Sequence, residues 1–98
     1  MKLTGKCKED FEKFRISKKD SYLKHCFFDE LEPSMQYGVY VDFFDSVGVN
    51  ISESLVFTLE RHGYSFSIEL YSDYEIYKTR PEARTSAIQK ANEIYNLK

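Results

Sequence analysis

The sequence has no tryptophan and only two cysteines, two prolines and four glycines. Two cysteines cannot build a disulfide framework, so Cys7 and Cys26 are expected as reduced thiols. The glycines stand apart at positions 5, 38, 48 and 63, and no glycine-rich loop is available to cradle a phosphate. The longest apolar run falls far short of the ~18–20 residues that cross a bilayer. The opening MKLTGKCKED has no apolar signal-peptide core. A cytoplasmic protein with no membrane partner is the expectation. Basic residues are scarce over one long stretch: between positions 29 and 77, ten acids meet a single base, Arg61.

That scarcity belongs to a three-block charge layout. Residues 1–28 carry eight Lys or Arg against four acids, and residues 78–98 carry five against two. The net charge of −2 therefore hides blocks of about +4, −9 and +3. Either the basic ends fold back over the acidic middle, or one of the blocks is a surface for a partner of opposite charge. Eight Phe and eight Tyr are the other abundance. At ~150–250 Å² buried per ring they can build a core, so one folded domain over residues 1–98 is expected.

The apolar spacing divides the chain into elements. Leu3, Cys7, Phe11 and Phe14 line one face of a helix over about Leu3–Ile16. Asp20 or Ser21 would cap a second helix over Ser21–Leu31, with Tyr22, Leu23, Cys26, Phe27 and Leu31 on its apolar side. The stretch SMQYGVYVDFFDSVGV admits two periods. Taken alternately, Met35, Tyr37, Val39, Val41 and Phe43 make a strand face. Taken at ~100° per residue, Gly38, Asp42, Asp45 and Ser46 gather in one narrow arc of a helix that is otherwise largely apolar. Pro33 stands where helices open and Gly48 where they close, which favours a helix over Ser34–Val47.

After Gly48 the period becomes two. Val49, Ile51, Leu55, Phe57 and Leu59 alternate with small polar residues, ERHG makes a turn in which Gly63 supplies φ > 0, and Tyr64, Phe66, Ile68 and Leu70 continue a hairpin. YSD is a second turn and Tyr74–Lys78 a short third strand. In TRPEARTSAIQKANEIYNLK, Pro81 and Glu82 suit a helix start, and Ala83, Ala87, Ile88, Ala91, Ile94 and Tyr95 form a stripe that packs closely on the sheet. The result is an α+β fold: N-terminal helices, an antiparallel hairpin plus a short third strand, and a C-terminal helix packed on the sheet.

Two stretches, SMQYGVYVDFFDSVG and TRPEARTSAIQKANEIYN, resemble segments of short uncharacterised proteins of bacterial phages and prophages. The resemblance covers about a third of the chain. It implies a mobile-element origin and a bacterial host cytoplasm, and it brings no catalytic motif. Small phage proteins often bind and inhibit a host component, a defence system among them.

The chemistry-bearing residues point away from catalysis. Cys7, His25, Cys26 and His62 lack the close ligand pairs of structural zinc sites. His25 and Cys26, adjacent in sequence, diverge by ~100° on a helix, which is poor geometry for a Cys–His nucleophile. Asp42 and Asp45, three apart, would suit a divalent ion or acid–base work only within a cleft. No catalytic residue, metal or cofactor is assigned. Lys78, Arg80 and Arg84 stand near the start of the last helix, where a double-stranded-RNA-binding domain places phosphate-binding lysines, but RPEAR replaces that family's lysine-rich pattern.

The expectation is a non-enzymatic binding protein. Its acidic middle, with Asp42, Asp45, Glu69, Asp73 and Glu75 beside an outward-facing Tyr77, contacts a host protein with a basic surface and inhibits it. The alternative is a nucleic-acid-binding module that uses the basic ends. An exposed sheet face would also suit a homodimer.

Overall fold

A computed structural model describes residues 2–17, 31–57, 62–68, 71–72 and 76–97. Its elements run α1 (Gly5–Ser17), α2 (Pro33–Ser46), β1 (Ile51–Phe57), β2 (His62–Ile68), β3 (Tyr71–Ser72) and α3 (Arg80–Asn96). The fold is α+β, with α3 packed on an antiparallel sheet of order β1–β2–β3. The helix expected over Ser21–Leu31 lies outside the described residues, apart from Leu31.

The ambiguous stretch is the helix α2. Its wide apolar arc decides the matter: Tyr37, Val39, Tyr40, Phe43 and Phe44 are buried together, which a strand of alternating faces cannot do. Pro33 opens the helix. Gly48, at φ 82°, closes it, and the Val49 N–H then reaches back to the Phe44 carbonyl at 2.8 Å. Val49 is fully buried at the turn into β1.

Phe43 is the centre of the core. Its ring lies 5.4 Å from Phe11 and 5.6 Å from Phe14 on α1, and 5.9 Å from Tyr95 on α3. The buried Ala83, Ala87, Ile88 and Ala91 lie along α3. Three of the four are alanines, which lets the helix axis approach β2 closely. Thr79 caps α3 by accepting the Glu82 N–H at 3.3 Å, with Pro81 in the first turn.

The hairpin pairs Ile51 with Ile68 through Phe57 with His62 without interruption. One face carries Ile51, Glu53, Leu55 and Phe57 opposite Ile68, Phe66, Tyr64 and His62. The other carries Ser52, Ser54 and Val56 opposite Ser67, Ser65 and Gly63. Phe66 and Ile68 are buried, but Leu55 and Phe57 are 67% and 82% exposed. This apolar face is therefore core at one end only. The first turn of α3, where Arg80 lies over Tyr64 and against Glu53, marks where the helix cover begins.

The third strand also differs from expectation. The two-residue β3 pairs with Ser67 and Ile68, and of the expected third strand the described residues are 76–78, among which Tyr77 pairs in an isolated bridge to Tyr64. Gly63 does not supply a turn with φ > 0. It lies within β2, buried, where a Cβ would collide with the Tyr77 carbonyl oxygen and Ile76 Cγ2.

Candidate interaction surface

The same helical period that buries the aromatics of α2 leaves a ridge on its far side. Asp42 and Asp45 are exposed, as are Gly38 and Ser46. Met35, seven residues before Asp42 and so nearly in line with it, is half exposed. The exposed ridge is therefore Met35, Gly38, Asp42 and Asp45: one flexible apolar side chain, one bare stretch of backbone and two carboxylates. Neither aspartate is ion-paired among the described residues. Met35 was visible in the sequence only as part of a strand-like alternation; its place on the ridge follows once the period is helical.

Glu53 behaves differently. It occupies an apolar position on β1, facing α3, and Arg84 donates to it from both Nε and Nη2, at 3.2 and 3.3 Å. Arg80 Nε is 3.9 Å away. Arg84 also lies over the Tyr37 ring, 4.8 Å from its centroid, and Arg80 over Tyr64 at 5.1 Å. This knot ties α2, β1, β2 and α3. Burial, with Glu53 second, pushes the Tyr37 hydroxyl up to about 12.

The remaining expected contact residues divide. Glu69, Asp73 and Glu75 lie outside the described residues. Tyr77 is half buried, stacked on Phe66 at 6.2 Å and packed against the core. Its backbone exchanges hydrogen bonds with Tyr64 at 2.8 and 2.9 Å. Directly opposed residues of an antiparallel pair share a face, so Tyr77 points to the helix-covered side and Ile76 takes the other side, against Gly63. The outward Tyr77 of the sequence reading is corrected by that register.

The basic residues near α3 are likewise placed. Lys78 is exposed, but Arg80 and Arg84 are committed to Glu53. The other ion pairs between described residues lie within one helix each: Lys6–Asp10, Arg15–Glu12 and Lys90–Glu93. Glu53 is thus the one described acid of the middle block neutralised by a basic end.

Cys7 is fully buried, and burial, with Asp10 second, pushes its thiol up to about 12. His62 is exposed beside the Phe57 ring, while His25 and Cys26 lie outside the described residues. Among the described residues, no three His, Cys, Asp or Glu side chains come together as a metal site. None of their helices is long and apolar enough to cross a membrane. A concavity of about 500 Å³ lies between Tyr77 and the start of α3. Its described lining is Tyr77, Pro81, Glu82, Thr85 and Ser86. Compared with known proteins, the chain matches no family model, no curated protein and no solved structure.

Proposed function

We propose that the protein is a non-enzymatic binding module whose α2 ridge docks on a basic protein surface. The observation that carries this reading is the contrast between acids. Glu53 is held by two arginines, whereas Asp42 and Asp45 stand in solvent three residues apart with no described base beside them. Such charges raise the rate of encounter with a cationic surface, and the half-exposed Met35 on the same ridge adds adaptable apolar contact. The likeness of Ser34–Gly48 and Thr79–Asn96 to phage and prophage segments supports a bacterial host protein as partner and its inhibition as the outcome. The nucleic-acid alternative loses support, because two of its three expected phosphate contacts, Arg80 and Arg84, are already engaged by Glu53.

The test is a nuclease-treated affinity capture from bacterial lysate with the tagged chain, the Asp42→Lys/Asp45→Lys variant alongside, and then direct binding of the purified captured protein. The expected result is a basic protein whose association slows ~10-fold or more in the variant and weakens with rising salt. Equal capture by both chains counts against the ridge. Retention that disappears on nuclease treatment would transfer the function to nucleic acid.

A further inference from the structure

β1 is an edge strand that lacks the features by which edges normally avoid pairing. Its seven residues pair with β2 in unbroken register, and among the described residues nothing pairs with its other side. It contains no proline, lysine or bulge, and edge strands are usually blunted by one of these. Leu55 and Phe57, 67% and 82% exposed, are two of the five large apolar side chains left in solvent among the described residues. They lie two apart and so on one face. The single charge on the strand, Glu53, is neutralised by Arg84 and Arg80. The strand therefore presents backbone donors and acceptors, apolar side chains and no free charge.

We propose that this edge is a homodimer interface, on which β1 of a second copy pairs antiparallel about a twofold axis at Ser54. That register is the one that pairs all seven residues. It sets Ile51 opposite Phe57, Ser52 opposite Val56 and Glu53 opposite Leu55 of the second copy. Each exposed Phe57 ring then covers the other chain's half-buried Ile51. The two Glu53 carboxylates are not opposed to each other, and each keeps its own arginines, so the charge pattern tolerates the twofold. The paired hairpins form one continuous sheet with both α3 helices on the same face. Specific interfaces bury ~1,200–2,000 Å² in total. Two strand edges with two Phe57 rings, at ~150–250 Å² each, approach the lower end of that range. The dimer is accordingly a reversible one, with a dissociation constant on the order of micromolar. The proposal is independent of the α2 ridge.

Sedimentation of the full chain across concentrations from nanomolar to hundreds of micromolar tests this directly. The expected result is a rise from monomer to dimer mass, abolished by Phe57→Lys, with the melting temperature unchanged at concentrations low enough that the parent is also monomeric. Leu55→Ser at the neighbouring exposed position gives the same readout if Phe57→Lys does not fold. Ser54→Cys fixes the register: directly opposed Cβ atoms lie ~4.5–5.5 Å apart, close to disulfide reach, so oxidation should yield covalent dimer well above that of the parent. A chain that remains monomeric at every concentration overturns the proposal and leaves the edge for an extended peptide of another protein. A dimer that survives Phe57→Lys, or that Ser54→Cys does not crosslink beyond the parent, also overturns it.

Discussion

Gly63 is required by a neighbour thirteen or fourteen residues away. The Tyr77 carbonyl that a Cβ on Gly63 would strike is the same one that accepts the Tyr64 N–H at 2.9 Å. Gly63→Ala must therefore push the Ile76–Tyr77 segment off β2. The expected loss is ~1–3 kcal/mol, the range of overpacking substitutions, read by denaturant unfolding. Amide exchange at Tyr64 and Tyr77 should speed up selectively; unchanged protection there would show that the bridge does not need the glycine. From sequence, a glycine after Glu60–Arg61–His62 reads as a turn residue, and nothing local signals a close approach by a distant carbonyl. Glu53 was equally illegible. An acid at an apolar position looks like a break in the alternation until Arg80 and Arg84 are seen above it. Asp42 and Asp45 were legible, because their exposure follows from the period of their own helix alone.

Elements whose signals are local were read well, and the junctions between them were not. The ends of α2 and α3 follow from Pro33, Gly48, Thr79 and Pro81. The start of α1 is capped from another helix. The Thr4 N–H donates to Asn92 Oδ1 at 2.9 Å, and Asn92 Nδ2 donates to Thr4 Oγ1 at 3.0 Å. One turn further on, Asn96 Oδ1 accepts the Cys7 N–H at 2.9 Å, while Asn96 Nδ2 donates to the Thr4 carbonyl at 2.9 Å. Asparagines four apart on α3 thus satisfy amides that an N-cap side chain would ordinarily serve. No sequence pattern pairs positions 4–7 with 92–96, since the constraint exists only once α1 and α3 lie side by side. Asn92 is buried, so Asn92→Ala leaves part-buried groups unpaired and should cost ~1–3 kcal/mol. Hydrogen exchange at Thr4 should rise while Cys7, held by Asn96, and α2 and the hairpin stay protected. A variant as stable as the parent would mean that water serves the Thr4 amide equally well.

At the scale of the molecule, the three helices meet around Tyr95, whose hydroxyl donates to Asp10 and whose ring lies against Phe43. The two groups move in opposite directions. The hydrogen bond from Tyr95, with Lys6 adding to it, lowers the Asp10 pKa below its ordinary 3.8. The same bond, with burial adding to it, pushes Tyr95 from 10.0 up to about 12. A carboxyl held below its unfolded value stabilises the fold above that value, and the contribution is lost as pH falls through the lowered one. A phenol held above its unfolded value stabilises the fold below pH 10, and the contribution disappears as pH rises towards 12. Tyr37, raised from 10.0, and Cys7, raised from 9.0, both to about 12, act in the same alkaline direction. In that window the native state holds protons that the unfolded chain has released. Stability should therefore be flat through neutral pH, decline below about 4 and fall more steeply above about 9, as measured by urea unfolding at each pH. Tyr95→Phe separates the shared bond from the other groups. It should flatten the acid limb, because Asp10 returns towards its ordinary value, and it should reduce but not abolish the alkaline limb, because Tyr37 and Cys7 remain. If the acid limb of the variant superposes on that of the parent, the bond between α1 and α3 does not set the Asp10 carboxyl.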